Sequence, residues 1–167
     1  SRINSLETLP DGINFFIANE FFDAIPIKQF IRKGKNWKER AIDINDIGQL
    51  TYSFIDKNSM NLADLDSVSY LFKNNTIYEI SPKQDNILKI IFKNISENGG
   101  LLIIDYAKMN GGVGDTLQAI SAHKKRSIFY QPGDTDLTCL VDMKRYIEIG
   151  RNMNINSFGP INQCEFL

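Results

Sequence analysis

Two short, almost continuous apolar runs constrain the fold of this 167-residue chain more than any other feature. The first run, residues 13–18, follows a Pro-Asp-Gly turn signal, and the second, residues 101–104, follows a pair of glycines. Strands that are apolar on both faces are typical of the central positions of a parallel sheet, whereas half-exposed strands alternate in character. The two runs therefore predict neighbouring parallel strands.

The segment between these runs contains a predicted helix over residues 81–95. Ser81 is placed for an N-cap, Pro82 for the first helical position and Gln84 for a capping box. Apolar residues then recur at helical spacing until Asn98 and Gly99 provide a stop signal. A strand, a helix and a second strand in this order indicate a crossover unit, and hence an α/β fold.

The segment of about fifty residues that precedes the helix has a different pattern. Residue types alternate over 27–32 around a turn at residues 33–36, and 37–44 and 50–55 continue the extended pattern. We expect a two- or three-stranded antiparallel insertion over residues 27–78, with 59–72 a loop or short helix. Such insertions often form lids or substrate platforms, although an extension of the main sheet fits the pattern equally well.

The C-terminal third is predicted from its cap and turn signals. Residues 115–118 have the form of a capping box and predict a short helix that ends in the basic residues 123–126. Residues 128–130 and 137–141 are candidate strands on either side of a Pro-Gly-Asp turn. Asp142 is placed to cap a last helix that runs through Tyr146 to Gly150.

Composition excludes several classes of protein. Nineteen basic and twenty acidic residues leave a formal charge of -1, so the chain lacks the charge expected of a nucleic-acid or anionic-membrane binder. No apolar run approaches the roughly 20 residues of a membrane helix. The two cysteines, Cys139 and Cys164, are too few for a disulfide framework and do not have the paired spacing of a zinc site. This cysteine content favours a reducing compartment. Without an initiator Met or a signal peptide at its start, the chain is expected to be a fragment or a processed product.

The most informative chemistry follows the first strand. Asn19, Glu20 and Asp23 lie just beyond its carboxyl end, where ligands bind in open α/β sheets. If the segment forms a helical turn, the two carboxylates share one side and could bind a guanidinium through charge-assisted hydrogen bonds. Alternatively, Asn19 or Asp23 caps the turn and Glu20 is solvated. Asp105 and Tyr106 end the second strand at the same predicted edge and could line the same cleft.

Other candidate motifs are weaker. The glycine-rich residues 111–114 lack the Lys-Ser/Thr of a phosphate loop, which favours a flexible connection. His123 is the only histidine, and at a helix end it is more often a surface or capping residue than a general base. No Gly-x-Ser-x-Gly elbow is present, so a hydrolase is disfavoured.

Seven motifs, in order along nearly the whole chain, resemble the MidA-like family of S-adenosylmethionine-dependent methyltransferases. They are ANEFFDAIP (18–26), EISP (79–82), GGLLIIDY (99–106), DTLQA (115–119), PGDTDLT (132–138), VD (141–142) and GPINQ (159–163). The resemblance implies a class I methyltransferase fold, a Rossmann-like α/β sheet without its N-terminal strands. Residues 1–167 would then be the central to C-terminal part of the domain, with 27–78 as its antiparallel insertion.

The resemblance also implies chemistry and partners. The cofactor would be S-adenosylmethionine, with no metal, and the reaction methylation of arginine in a protein. Glu20, with Asp23 as second choice, would orient the guanidinium, while Asn19, Asp105 and Tyr106 would line the cofactor cleft. The glycine-rich cofactor turn of the family should lie upstream of Ser1, so this chain alone is expected to bind the cofactor weakly.

The implied substrate is a protein, with a respiratory complex I subunit as the candidate, and no nucleic acid or membrane insertion is implied. The location would be cytoplasmic in a bacterium and the mitochondrial matrix in a eukaryote. Two alternatives stay open: a non-catalytic protein-binding module that lost the cofactor half, and a degraded gene product without function.

Overall fold

A computed structural model describes residues 14–56 and 72–167 of the chain. The expected loop or short helix at 59–72 lies, apart from Phe72, outside the described residues. Contacts divide the chain into two compact units. Unit 1 comprises the described residues 14–23, 82–111 and 140–167, and unit 2 comprises 24–56, 72–81 and 112–139.

Unit 1 contains two parallel strand pairs and three helices. Its strands are β1 (Phe15–Asn19), β6 (Gly100–Ile104), β7 (Ala107–Lys108) and β11 (Val141–Asp142), and its helices are α1 (Pro82–Lys93), α2 (Met143–Asn152) and α3 (Gln163–Phe166). Unit 2 is built from strands alone: β2 (Lys28–Lys33), β3 (Asn36–Ile44), β4 (Leu50–Asp56), β5 (Ile77–Ile80), β8 (Gln118–Ser121), β9 (Lys124–Arg126) and β10 (Asp136–Thr138).

The two apolar runs pair as parallel strands. β1 lies beside β6, with Phe15 opposite Gly100 and Asn19 opposite Ile104. β11 pairs with β7 in the same parallel sense. The pairing confirms the predicted strand, helix and strand of an α/β fold, because the connection between β1 and β6 contains α1.

The faces of the β1–β6 pair are covered unequally. Ala18 is buried, but Phe15 and Ile17 are 74% and 75% exposed. Leu102 and Ile104, on the same face as Ile17, are also exposed. The expectation that β1 is buried on both faces is therefore wrong for the described residues, in which one face of the pair remains open to solvent.

Both longer helices form where local signals place them. α1 buries Leu88, Ile91 and Phe92, which recur at the spacing of one helix face. α2 begins after Asp142, whose side chain accepts a hydrogen bond from the backbone N–H of Arg145, as predicted for its cap. The two helices contact each other through Arg145, whose guanidinium lies 2.8 Å from the carboxylate of Asp85.

Unit 2 contains a four-stranded antiparallel sheet in the order β4-β3-β2-β5. Strands β2 to β4 match the predicted segments, and β5 adds a strand that the sequence pattern had not indicated. Phe30 and Trp37 form the buried centre of one face, against which Phe72, Tyr78 and Ile80 pack. The turn between β2 and β3 has a positive φ of 62° at Gly34, a conformation that favours glycine.

Two predictions for residues 115–130 are wrong. Residues 118–126 form the antiparallel hairpin β8–β9, not a helix, and Ala122 and His123 turn the chain with φ angles of 49° and 57°. Left-handed backbone at two successive residues cannot continue a right-handed helix. Residues 128–130 form a turn, not a strand, in which the N–H of Tyr130 donates to the carbonyl of Ser127.

The glycine-rich run is fixed to β5, contrary to the expectation of a flexible loop. The carbonyl of Gly112 accepts the N–H of Glu79 at 2.8 Å, and the N–H of Gly114 donates to Ile77 at 3.0 Å. Gly112 has a φ of 87°, and a Cβ there would lie 2.6 Å from the Tyr78 ring. Glycine at this position therefore permits a close approach to β5 that no side chain would allow.

Candidate active site

Parallel pairing brings the predicted site residues to one edge of unit 1. Asn19 is the last residue of β1, and Glu20 follows it directly. Asp105 and Tyr106 follow β6, whose last residue, Ile104, lies opposite Asn19. Because the carboxyl ends of parallel strands meet at the same edge, the two motifs lie side by side, at the edge where ligands bind in open α/β sheets. Residues 20–23 are called the site loop below.

The site loop begins with an uncommon backbone conformation. Glu20 has a positive φ of 44°, and its N–H donates to the carbonyl of Ile104 at 2.8 Å. A residue other than glycine occupies this region at a cost, and such residues concentrate at functional sites. The Glu20 side chain is exposed, so its carboxylate is available to a ligand.

Asp105 binds the backbone of the site loop. Its Oδ2 accepts the N–H of Phe22 at 3.0 Å and that of Asp23 at 3.3 Å, while its Oδ1 accepts the N–H of Tyr106 at 2.9 Å. Burial raises the pKa of Asp105 above its usual value, and the charge of Asp23 adds to the increase, although the three backbone donors oppose it. The carboxylate of Asp105 therefore holds the loop against the end of β6.

Glu20 and Asp23 do not form an exposed pair of carboxylates. Asp23 is only 6% exposed, whereas Glu20 lies in solvent. The positive φ at Glu20 interrupts the helical turn that would have aligned them, and the burial of Phe22 carries the following residue inward. Of the two predicted catalytic residues, Glu20 is therefore the one accessible to a substrate.

Two residues that the sequence analysis did not assign to the site hold the loop from its other side. The Gln84 amide of α1 donates to the carbonyl of Phe22 at 2.7 Å. The hydroxyl of Tyr146, on α2, donates to the Gln84 side-chain oxygen at 3.0 Å. The rings of Phe22 and Tyr146 also pack edge to face, with centroids 5.2 Å apart. In the sequence Gln84 was marked only as part of a capping box and Tyr146 only as part of a helix, because their partners at the site are distant along the chain.

A second polar cluster lies in unit 2. The buried Glu79 carboxylate accepts hydrogen bonds from the amide of Gln29 and from the backbone and hydroxyl of Thr116, at 2.7–2.8 Å. Asp115 forms an ion pair with Arg40 at 2.8 Å. These contacts attach residues 115 and 116 to the four-stranded sheet. The carboxylates of Glu79 and Asp115 are thus bound to donors of the protein itself.

Two further kinds of feature were sought in the part of the chain that the structure describes, a metal site and a membrane-spanning helix. Residues 14–56 and 72–167 contain no group of three or more His, Cys, Asp or Glu that could hold a metal ion. Within those ranges no helix has the length and apolar character needed to cross a membrane. His123 is exposed in the β8–β9 turn.

Parallel strands joined through a helix, with polar residues at their carboxyl edge, define an α/β protein of the Rossmann-like class. The family model described as an S-adenosyl-L-methionine-dependent methyltransferase matches residues 2–161. The chain belongs to this methyltransferase family, as its motifs had indicated.

Curated relatives agree with this family. The chain is 30% identical over 167 residues to the mitochondrial protein arginine methyltransferase NDUFAF7 homolog of Caenorhabditis elegans, and 29% identical over 170 residues to NDUFAF7 of Homo sapiens. The alignments cover 98% and 100% of this chain but only 38% and 37% of those proteins. The chain therefore spans well under half the length of these curated relatives.

A solved structure shares the fold. A COG1565 superfamily member from Burkholderia thailandensis, bound to S-adenosyl-homocysteine, matches with a TM-score of 0.71 and 18% identity. The match covers 86% of this chain and 40% of the other. The predicted α/β methyltransferase fold is thus confirmed.

Proposed function

We propose that the complete gene product containing this chain transfers a methyl group from S-adenosylmethionine to an arginine side chain of a protein. The observation that carries the proposal is the exposed Glu20 carboxylate, held by backbone hydrogen bonding at the carboxyl end of β1. Membership of the methyltransferase family and the names of the arginine methyltransferase relatives support the reaction class.

The residues at this edge fit a cationic cofactor. S-adenosylmethionine supplies an electrophilic methyl group on a positively charged sulfonium. Asn19 and Tyr106 are exposed beside Glu20 and would border the methionine end of the cofactor. Asp105, also predicted to line this cleft, already accepts three backbone N–H groups, so we assign the direct contacts to Asn19 and Tyr106 first.

Glu20 would act on the substrate by orientation and charge. A carboxylate binds the planar guanidinium of arginine through charge-assisted hydrogen bonds. Those bonds would hold one guanidinium nitrogen in position to accept the methyl group. They would also offset the positive charge of the guanidinium. Catalysis by Glu20 would therefore consist of positioning and electrostatic stabilisation, without a covalent intermediate on the protein. Asp23, which is buried, would contribute negative charge behind the loop.

The proposal extends to the substrate and the location of the protein. We propose a protein substrate, with a subunit of respiratory complex I as the specific candidate. The named eukaryotic relatives are mitochondrial proteins. The proposed location is accordingly the mitochondrial matrix for a eukaryotic source and the cytoplasm for a bacterial one.

Replacement of Glu20 tests the proposal. In the complete gene product, Glu20→Gln removes the charge but keeps the size of the side chain. We expect methyl transfer to arginine-containing protein to fall about 100-fold or more, with cofactor affinity within about twofold of wild type. Transfer is measured with isotopically labelled S-adenosylmethionine, and affinity is measured by calorimetry.

The matched control is Glu97→Gln, which removes an exposed carboxylate of unit 1 away from the site. This variant should transfer methyl groups at the wild-type rate. Equal turnover of the Glu20 and Glu97 variants would remove Glu20 from the mechanism.

A further inference from the structure

The peptide at Phe22 is held from both sides. Its N–H donates to Asp105 at the end of β6, and its carbonyl accepts the Gln84 amide from α1. The Phe22 side chain is fully buried. One residue of the site loop is thus bound through its donor, its acceptor and its side chain, which leaves little freedom for the residues on either side.

The hold on the carbonyl extends one step further. The hydroxyl of Tyr146 donates to the oxygen of the Gln84 amide group. This contact orients the group so that its NH₂ faces the carbonyl of Phe22, because oxygen and nitrogen occupy opposite sides of a side-chain amide. Tyr146 also packs its ring against the Phe22 ring, so α2 contacts the loop residue directly and through Gln84.

The geometry assigns Gln84 and Tyr146 as positioning residues for the Glu20 carboxylate, acting through the peptide of Phe22; the assignment rests on the proposed function of Glu20. Glu20 lies two residues before Phe22 and has a strained backbone that its surroundings must maintain. The N–H of Glu20 is bound to Ile104 on one side, and the Gln84–Tyr146 pair fixes the loop on the other. Neither residue needs to contact the substrate.

This role differs from that of ordinary core residues in what its loss changes. A displaced carboxylate reduces the rate of the chemical step even when the protein is folded, since reactive geometry is sensitive to small displacements. Binding of the cofactor by other residues should be unaffected. The expected signature is therefore a lower kcat with an unchanged KM for S-adenosylmethionine, together with faster opening of the loop.

Tyr146→Phe in the complete gene product tests the inference, because it removes one hydroxyl and keeps the ring that packs on Phe22. We expect amide hydrogen exchange at Phe22 and Asp23 to be about fivefold faster. We expect kcat for arginine methylation to fall about tenfold, with the KM for S-adenosylmethionine within twofold of wild type. Gln84→Met, which removes both hydrogen bonds with little change in length, should show the same pattern.

Tyr130→Phe, which removes a hydroxyl from a turn of unit 2, is the control and should match wild type in both measurements. Exchange at Phe22 that is the same in the Tyr146 and Tyr130 variants would overturn the inference, as would faster exchange with an unchanged kcat. A wild-type protein that methylates no arginine would refute the proposed function of Glu20 and with it the catalytic part of the inference. Hydrogen exchange would then still decide whether Gln84 and Tyr146 hold the loop.

Discussion

The β1–β6 pair and the four-stranded sheet of unit 2 cover their apolar side chains in different ways. In the pair, both strands are apolar apart from Asn19 at the end of β1, yet Phe15 and Ile17 are largely exposed. In the four-stranded sheet, Phe30 and Trp37 are buried on one face. The opposite face carries the Glu79 hydrogen bonds and the Arg40–Asp115 ion pair, together with the buried side chains of Ile31 and Ile77.

The two regions therefore derive stability from different sources. The strands of the four-stranded sheet are mixed in character, and they bury both apolar side chains and hydrogen-bonded polar ones such as Gln29 and Glu79. The apolar strands of the β1–β6 pair could bury side chains on both faces of the pair. In the described residues, however, only one of the two faces is covered. We therefore expect mutations in the interior of unit 2 to be costly and mutations on the open face of β1 to be mild.

The largest expected effect is that of Trp37→Ala. Truncation of a buried aromatic side chain should lower the free energy of unfolding by about 3–5 kcal/mol. Ile17→Ala, on the open face, should change it by no more than about 0.5 kcal/mol. Urea denaturation followed by far-ultraviolet circular dichroism measures both variants, since Trp37 is the only tryptophan and its fluorescence is lost. Similar losses of unfolding free energy in the two variants would contradict the proposed difference between unit 2 and the β1–β6 pair.

A smaller effect is expected at Gly112, where an added Cβ would lie 2.6 Å from the Tyr78 ring. Ala at this position would contact the Tyr78 ring and the Glu79 carbonyl, and we expect a loss of about 1–3 kcal/mol beyond the backbone cost. Gly34→Ala is the control, because Gly34 also has a positive φ but no atom lies within 4 Å of its added Cβ. In thermal denaturation, Gly112→Ala should therefore have a clearly lower melting temperature than Gly34→Ala. The reverse order would show that close packing at Gly112 does not limit stability.

The smallest effect concerns pH and the carboxylate that holds the site loop in unit 1. The pKa of Asp105 is raised in the folded protein, so the folded state binds this proton more tightly than the unfolded state does. The resulting stabilisation is present at low pH and is lost as the pH rises through the raised pKa. Asp105→Asn lacks this titration and can still accept hydrogen bonds from the loop.

The free energy of unfolding of Asp105→Asn, relative to wild type, should therefore increase as the pH rises from below the usual aspartate pKa to neutrality. Urea denaturation at a series of pH values measures this difference. Glu97→Gln, which removes an exposed carboxylate away from the site loop, is the matched control. A relative stability of Asp105→Asn that falls over this range would contradict the sign.

The sequence predicted those parts of the fold that depend on neighbouring residues. The strands β1 and β6 and the helices α1 and α2 follow from apolar runs, helical spacing and the cap at Asp142. The hairpin β8–β9 was missed because residues 115–118 imitate a capping box. In the structure Asp115 instead binds Arg40, and Gln118 pairs with Thr138 in the strand ladder. Long-range partners decided the outcome, and no local signal records them.

The candidate site likewise contains residues that the local sequence could place and residues that only long-range contacts could reveal. Strand ends placed Glu20 and Asp105 at one edge, since the parallel pairing could be inferred from the two runs. A single sequence reveals neither the burial of Asp23 nor the positive φ at Glu20. Gln84 and Tyr146 join the site through contacts between residues 62 positions apart. Their part therefore became visible only with the tertiary structure.

The pairing of β1 with β6 also has a consequence for synthesis on the ribosome. Phe15 and its partner Gly100 are 85 positions apart, so β1 leaves the ribosome about 4–17 s before β6 at ordinary rates of elongation. The strands β2 to β5 all emerge in that interval and can pair with one another. β1 is therefore made well before β6, and the site loop acquires its hydrogen bonds to Asp105 only when β6 has been made.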